Sequence, residues 1–189
     1  MEAKVEDDGR VLKVKLEDTN EAVANSLRRG MLTKVPTLSV KHVEIVKNES
    51  ALFDEMLAHR VGQVPLNIPQ KFDGDDTAHV AVKKEGPGNL TADDIKVNDE
   101  EAEPTNPETV IATLKEGQEV EFEGEAELGH GEEHAKYQGG TVGYEKVSEG
   151  EYLFRIESSS GYDNKELFNE AIEQLKQNLD EFSEAVEEL

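Results

Sequence analysis

Two stretches of this sequence hold residue types that could do chemistry at a defined spacing. In "HGEEH", His130 to His134, two histidines four apart flank a carboxylate pair. This is the H-x-x-E-H pattern by which one class of zinc peptidases holds its metal from a single helix face. The surroundings argue against that use. Gly129 and Gly131 bracket the first histidine and Gly139–Gly140 closes the segment, and each glycine costs a helix interior about 1 kcal/mol relative to alanine. No convincing third ligand lies nearby. His130 and His134 are therefore expected to be ordinary loop and strand residues, with a metal hydrolase built on them kept only as a rival. "EGPG", Glu85 to Gly88, reads as a turn, since no G-K-[ST] and helix follow it as in a phosphate loop. No nucleophilic serine motif is present, and 43 acidic residues hide any particular carboxylate dyad. No catalytic residue is assigned, and no active site is expected on this chain.

The second stretch is "NSLRRGMLTKVPTLSV", Asn25 to Val40. A helix through it puts Ala24, Leu27 and Met31 on one stripe and turns Arg28 and Arg29 about 100° and 200° away from Leu27. At least one arginine must leave the core-facing stripe. Only five arginines occur in 189 residues, and two are adjacent here. Arginine suits bidentate carboxylate contacts and interface ion pairs, so the pair reads as a grip on another protein.

The charge balance gives that pair its context. The chain carries a formal net charge of −23, which opposes nonspecific binding to nucleic acid or an anionic membrane, since both require an excess of lysine and arginine. Residues 1–47 hold 8 acids and 9 bases, residues 48–147 hold 23 and 8, and residues 148–189 hold 12 and 3. A carboxylate-rich surface of this kind suits a salt-adapted cell; the regular apolar patterning argues against disorder. On that reading, the near-neutral first 47 residues are the ones least free to become acidic, as a core or an interface would demand. The absence of cysteine removes disulfides, thiolate zinc sites and iron–sulfur clusters. "MEAKVEDDGR" has no apolar signal-peptide core and no run approaches the roughly 18 residues of a spanning helix, so a cytoplasmic, non-membrane protein is expected.

The elements that must position these residues follow from periodicity. In "RVLKVKLE", Leu12, Val14 and Leu16 alternate with polar residues as in a half-buried strand. A helix follows, with Asp18 and Glu21 at capping-box spacing, and runs towards Pro36. In "TLSVKHVEIV", Leu38 and Val40 fall on one phase and Val43 and Ile45 on the other, which predicts a bulge near His42. "SALFDEMLAHRVG" reads as a short helix with Ser50 as N-cap, Phe53, Met56 and Leu57 inward, and Gly62 as its stop. The middle is rich in strands and turns: Val80 and Val82 alternate, "EGPGNLTADD" is turn chemistry, and Val120, Phe122, Ala126 and Leu128 alternate against a file of glutamates. Residues 98–108 read as a mobile polar loop. "EYLFRIE" is a last strand. After Asp163, apolar residues fall at Phe168, Ile172, Leu175, Leu179, Phe182, Val186 and Leu189. That is a heptad seam, flanked by Ala171 and Ala185. Its 26 or so residues make a helix about 39 Å long, which outruns a small domain and predicts contact with a partner's helix.

Residues Ala24 to Leu66, "ANSLRRGMLTKVPTLSVKHVEIVKNESALFDEMLAHRVGQVPL", resemble the signature block of the D-type subunits of archaeal RNA polymerase. This family is the counterpart of the N-terminal domain of the bacterial α subunit and of the third-largest eukaryotic subunit. "EGPG" with "TADDI", "LGHGEEHAKYQ" and "YLFRIESS" agree in order. The resemblance implies an α+β fold: a discontinuous dimerisation domain of antiparallel sheet and packed helices (residues 1–47 and 148–189), interrupted by a β-rich insert domain at 48–147. It implies a non-catalytic assembly subunit that pairs with the small subunit L through Leu27, Met31, Phe168, Ile172, Leu175, Leu179, Phe182 and Val186. Subunit N and the large catalytic subunits would then be recruited, with Arg28, Arg29 and Lys136 facing a large subunit. Many relatives carry a cysteine-rich, ferredoxin-like insertion after "VPL"; here "NIPQKFDGDD" follows and no cluster or zinc is expected. A free acidic homodimer or chaperone-like protein is the other alternative.

The charge pattern makes a direct prediction. Dense like charge repels itself in the compact state and is screened by salt. The thermal unfolding midpoint, followed by circular dichroism, should therefore rise steadily from millimolar to molar potassium chloride; a midpoint independent of salt contradicts the salt-adapted reading.

Overall fold

The computed structural model describes residues 2–72, 74 and 76–187. The chain divides into two compact units, Met1–Pro36 with His130–Leu189, and Thr37–Gly129. Both join antiparallel sheet to helix, giving the α+β fold that the sequence implied.

In the first unit, β1 (Glu2–Asp8), β2 (Leu12–Glu17), β10 (Gly140–Ser148) and β11 (Glu151–Ser158) form a sheet in the order β1-β2-β11-β10. Leu16 pairs with Tyr152 and Leu12 with Ile156. Leu12, Val14 and Leu16 share the buried face with Tyr152, Phe154 and Ile156. Helix α1 (Glu21–Thr33) and the long helix α3 (Asn164–Glu187) supply the opposing layer, through Ala24, Leu27, Met31, Leu167, Phe168 and Ala171. The ring of Phe168 meets that of Phe154 edge-on at 6.4 Å. Gly30 of α1 faces Ala171 of α3, where an added Cβ would stand 3.5 Å from the alanine methyl, an ordinary van der Waals contact.

The helix starts differ from expectation in an instructive way. Asn20, not Asp18, caps α1: its Oδ1 accepts the Val23 N–H at 3.1 Å, while Asp18 turns the chain at φ +56°, a conformation that aspartate tolerates. A reciprocal capping box does occur, but on α3. Asp163 Oδ1 accepts the N–H groups of Lys165 and Glu166, and Glu166 Oε2 accepts the Asp163 N–H, each at 2.8 Å.

In the second unit, β3 (Thr37–Asn48), β4 (Pro65–Leu66), β5 (Thr77–Glu85), β7 (Lys96–Val97) and β9 (Glu119–Gly129) form a sheet ordered β4-β3-β9-β5-β7. Beside it β6 (Gly88–Thr91) pairs with β8 (Val110–Leu114), so part of the expected turn "EGPGNLTADD" is strand. The expected bulge is present: the β3–β9 register shifts between Val40 and His42, and again between Ile45 and Lys47. Helix α2 (Asp54–Gly62) buries Leu57 and Val61 in the core. Its N-cap is Phe53 rather than Ser50, whose hydroxyl is held by Asn48 Oδ1 at 2.6 Å. Phe53 and Met56, expected inward, are 76% and 50% exposed. The core side of this short helix is filled by the Leu57–Val61 pair one turn apart. Within 98–108, Ala102 is fully buried and Glu103 accepts the Asn67 N–H at 2.9 Å, so the segment is anchored by its middle.

The sheets divide the chain elsewhere than at residues 47 and 147. Residues 37–47 pair with β9 and therefore lie in the second unit, whereas residues 140–148 pair with β11 and lie in the first.

Two glycines of β10 and its approach provide a matched test. A Cβ at Gly139 would stand 2.5 Å from the Met31 carbonyl and 2.6 Å from Leu167 Cδ1, whereas one at Gly143 meets nothing within 4 Å. Gly139→Ala should cost about 2 kcal/mol in urea unfolding, as overpacking does, and Gly143→Ala should cost nothing or stabilise slightly.

Candidate functional site

Helix α3 carries the apolar seam expected to meet a partner, and the structure splits it in two. Leu167, Phe168 and Ala171 are buried, and Ile172 and Leu175 lie half-buried against the same core. From Lys176 to Glu187 every residue is exposed. The apolar positions of that distal half, Leu179, Phe182 and Val186, are 67%, 68% and 49% exposed. Leu189 lies outside the described residues. Seen along the helix, Leu175, Leu179, Phe182 and Val186 form one stripe. Asn178, Ser183 and Ala185 flank it, and Glu173, Asp180, Glu181, Glu184 and Glu187 occupy the remaining faces. Carboxylates in the last turn oppose the helix dipole, and no basic residue answers them there. The distal half is held by backbone hydrogen bonds and a few side-chain pairs, such as Gln177 Nε2 to Glu181 Oε1 at 3.2 Å.

Leu27 and Met31 do not belong to this exposed stripe. They are 4% and 0% exposed, within the core that the chain builds for itself between α1, α3 and the sheet. Their helical spacing marks a buried stripe, and the layer they fill is the chain's own.

The basic face of α1 is part of the same unit. Arg28 is half-buried, and its Nε donates to the Val142 carbonyl at 3.3 Å. Arg29 is exposed, and no carboxylate among the described residues pairs with its guanidinium. The contrast with the other cations is sharp. Arg10 pairs with Glu157 at 3.0 Å, Arg155 with Glu145 at 2.7 Å and Lys34 with Glu132 at 2.8 Å. Adjacent arginines left without an acid, in a chain with 43 of them, are held available.

The "HGEEH" segment buttresses this face. It forms a turn and then a short 3-10 turn, Ala135–Tyr137, not a helix. His130 Nδ1 lies 3.1 Å from Glu133 Oε1, and His134 Nδ1 accepts the Lys136 N–H at 3.1 Å. No three His, Cys, Asp or Glu groups are gathered for a metal among the described residues. Gly131 and Gly139 do more than break a helix. A Cβ at Gly131 would stand 2.1 Å from the Leu32 carbonyl, and one at Gly139 would strike that of Met31. Both glycines let the segment lie against the end of α1. Lys136 then stands with its ammonium 4.9 Å from the centre of the Tyr137 ring.

No described helix is long and apolar enough to cross a membrane. Among the described residues, the chain offers an apolar helix end open to water and two adjacent arginines that no carboxylate pairs with.

Comparison with known proteins places the chain in a family. Residues 32–144 match the RNA polymerase Rpb3/RpoA insert domain family. The chain is 39% identical over 141 residues to DNA-directed RNA polymerase subunit Rpo3 of Natronomonas pharaonis, covering 74% of this chain and 57% of that protein. It is 38% identical over 170 residues to the Rpo3 of Thermococcus kodakarensis, covering 86% and 63%. Against the Rpo3 of Methanocaldococcus jannaschii it is 31% identical over 164 residues, covering 87% and 84%. The match thus spans less than two thirds of the first two relatives and most of the third. The chain belongs to the Rpb3/RpoA family of RNA polymerase subunits, on the branch of the archaeal Rpo3 proteins, the D-type subunits that its signature block resembled.

Proposed function

We propose that the protein is a non-catalytic assembly subunit of archaeal DNA-directed RNA polymerase, working in the cytoplasm through protein contacts alone. It pairs with the small subunit L along α3, recruits subunit N, and docks the large catalytic subunits through Arg28, Arg29 and Lys136. It contacts no nucleic acid directly and needs no cofactor. The observation that carries this reading is the distal half of α3, where Leu179, Phe182 and Val186 stand open to water. Each is worth about 1.5–3 kcal/mol when fully buried, so a matching helix has an energetic reason to lie there. Leu175, half-buried on the chain's own core, lets the seam run without a break from the chain's core to a partner.

The arginines support a second contact. An arginine that the chain's own carboxylates leave unsatisfied can make a charge-assisted, bidentate bond to an acid on a neighbour. Arg29 is the freer of the two, since Arg28 is drawn to the Val142 carbonyl.

Co-expression with subunit L should yield a monodisperse one-to-one complex; a stable homodimer in its place favours the free acidic homodimer instead. Phe182→Asp should abolish that pairing, because a buried unpaired carboxylate costs several kcal/mol, while changing the stability of the isolated chain by no more than about 0.5 kcal/mol, as exposed positions do. Retained pairing refutes the assignment. Arg28→Ala combined with Arg29→Ala should leave the small heterodimer intact and weaken docking of a large subunit by at least about tenfold, the loss of a single strong contact. Unchanged docking, read by size-exclusion chromatography or interferometry, refutes the grip.

A further inference from the structure

Helix α2 of the second unit begins on a residue that suits neither the helix nor the core. An N-cap favours serine, threonine, aspartate or asparagine, yet Phe53 holds that place and its side chain makes no capping hydrogen bond. Its ring gains no burial in exchange: among the described residues it is the most exposed of the large apolar side chains. The fold does not account for a side chain that neither caps nor packs, and departures of this kind gather at functional sites.

The face around Phe53 keeps one character over two turns. Helical spacing brings Phe53, Met56 and Arg60 within about 60° of one another and turns Asp54 and Glu55 at least about 100° away from each of them. Asp54 is engaged elsewhere, its Oδ1 accepting from Asn48 Nδ2 at 2.7 Å. Met56 is half exposed, and so is Val110, the first residue of β8. Arg60 reaches that strand, its Nη1 donating to the Ile111 carbonyl at 2.6 Å. This bond fixes the direction of the guanidinium and leaves its other N–H donors open. Arg60 is exposed, and no carboxylate among the described residues pairs with it. Of the five arginines, Arg10 and Arg155 have acids of their own; Arg60 joins Arg28 and Arg29 in having none. An apolar cluster with an ordered cation at its edge results, in a chain of net charge −23.

We propose that this face of α2 docks an acidic stretch of another polymerase subunit, one that sets an apolar side chain against Phe53 and Met56 and a carboxylate against Arg60. Phenylalanine, methionine and arginine are the side chains that interface cores favour. Apolar contact alone would accept any greasy surface. Arg60 narrows the choice, because a carboxylate can take its open donors in a charge-assisted, bidentate bond. A nucleic acid or an anionic membrane would be repelled by the acid that covers the rest of the surface. A protein segment brings its negative charge to one point, where the chain has kept its own acids away.

The proposal rests on the assembly reading only for the complex in which the contact is made. To test it, Phe53 is replaced by the photo-crosslinker p-benzoylphenylalanine, and polymerase reconstituted from recombinant subunits is irradiated. The crosslink should map to one other subunit, at a stretch that holds a carboxylate beside an apolar residue. Arg60→Glu should cut the crosslink yield by at least about tenfold, the loss of a single strong contact, and a lysine in place of the mapped carboxylate should restore it. Phe53→Ser should leave the melting temperature of the isolated chain unchanged or raise it, since serine caps a helix better than phenylalanine. That result, with circular dichroism of Arg60→Glu, separates docking from folding. Both variants should still pair with subunit L, whereas Phe182→Asp should not, so failure of the α3 contact and failure of this one are told apart. No crosslink in the assembled polymerase overturns the proposal. So does a crosslink to a second copy of this chain, to a stretch without a carboxylate, or one that Arg60→Glu leaves unchanged.

Discussion

The seating of the first two turns of α3 between α1 and the four-stranded sheet is the interaction on which the first unit depends. Phe168 against Phe154, Leu167 beside Gly139, and Ala171 against Gly30 fix the direction in which the helix leaves the core. Everything beyond Leu175 is cantilevered from that seat. An apolar stripe exposed on a helix of only 12 or so residues would be marginal in isolation, because short helices rarely hold together in water. Anchored at one end, the stripe is presented already folded and in one orientation. Pre-organisation of this kind lowers the entropy lost when a partner arrives.

Charge is organised with the same economy. Most lysines lie against one or two carboxylates, which leaves a surface with an excess of acid. Lys47 with Glu49 and Glu119, and Lys15 with Glu17 and Glu151, are typical. These pairs hold Glu119, Glu17 and Glu151 below the ordinary carboxylate range, chiefly through side-chain hydrogen bonds to Lys47 for Glu119, to Lys4 for Glu17, and to the Ser148 hydroxyl for Glu151. Exposed pairs add little stability individually. Their effect is to keep a carboxylate-dense chain from repelling itself locally. Against that background the unpaired guanidinium of Arg29 stands out.

Much of this was legible in the sequence, and what was not has physical causes. The bulge at His42 was readable because it shifts apolar residues from one phase to the other. The second, between Ile45 and Lys47, was silent because only polar residues follow it in the strand. β1 and most of β10 gave no signal, since their side chains are largely exposed and only the backbone needs pairing. For Leu27 and Met31 the period revealed a buried stripe but not whose core it enters. Phe53 and Met56 misled because residue type announces hydrophobicity, whereas burial depends on which turn of a nine-residue helix meets the sheet.

The order of the strands bears on synthesis. β2 and α1 are made early, yet Leu16 finds its partner only at Tyr152 and Leu27 finds part of its cover only when α3 is complete. Thr37–Gly129, by contrast, holds all the strands of its own sheet within one uninterrupted stretch. Chains emerging from a ribosome fold as their domains become available. The inserted unit can thus close while the apolar faces of β2 and α1 still wait, uncovered, for the last segment to be translated.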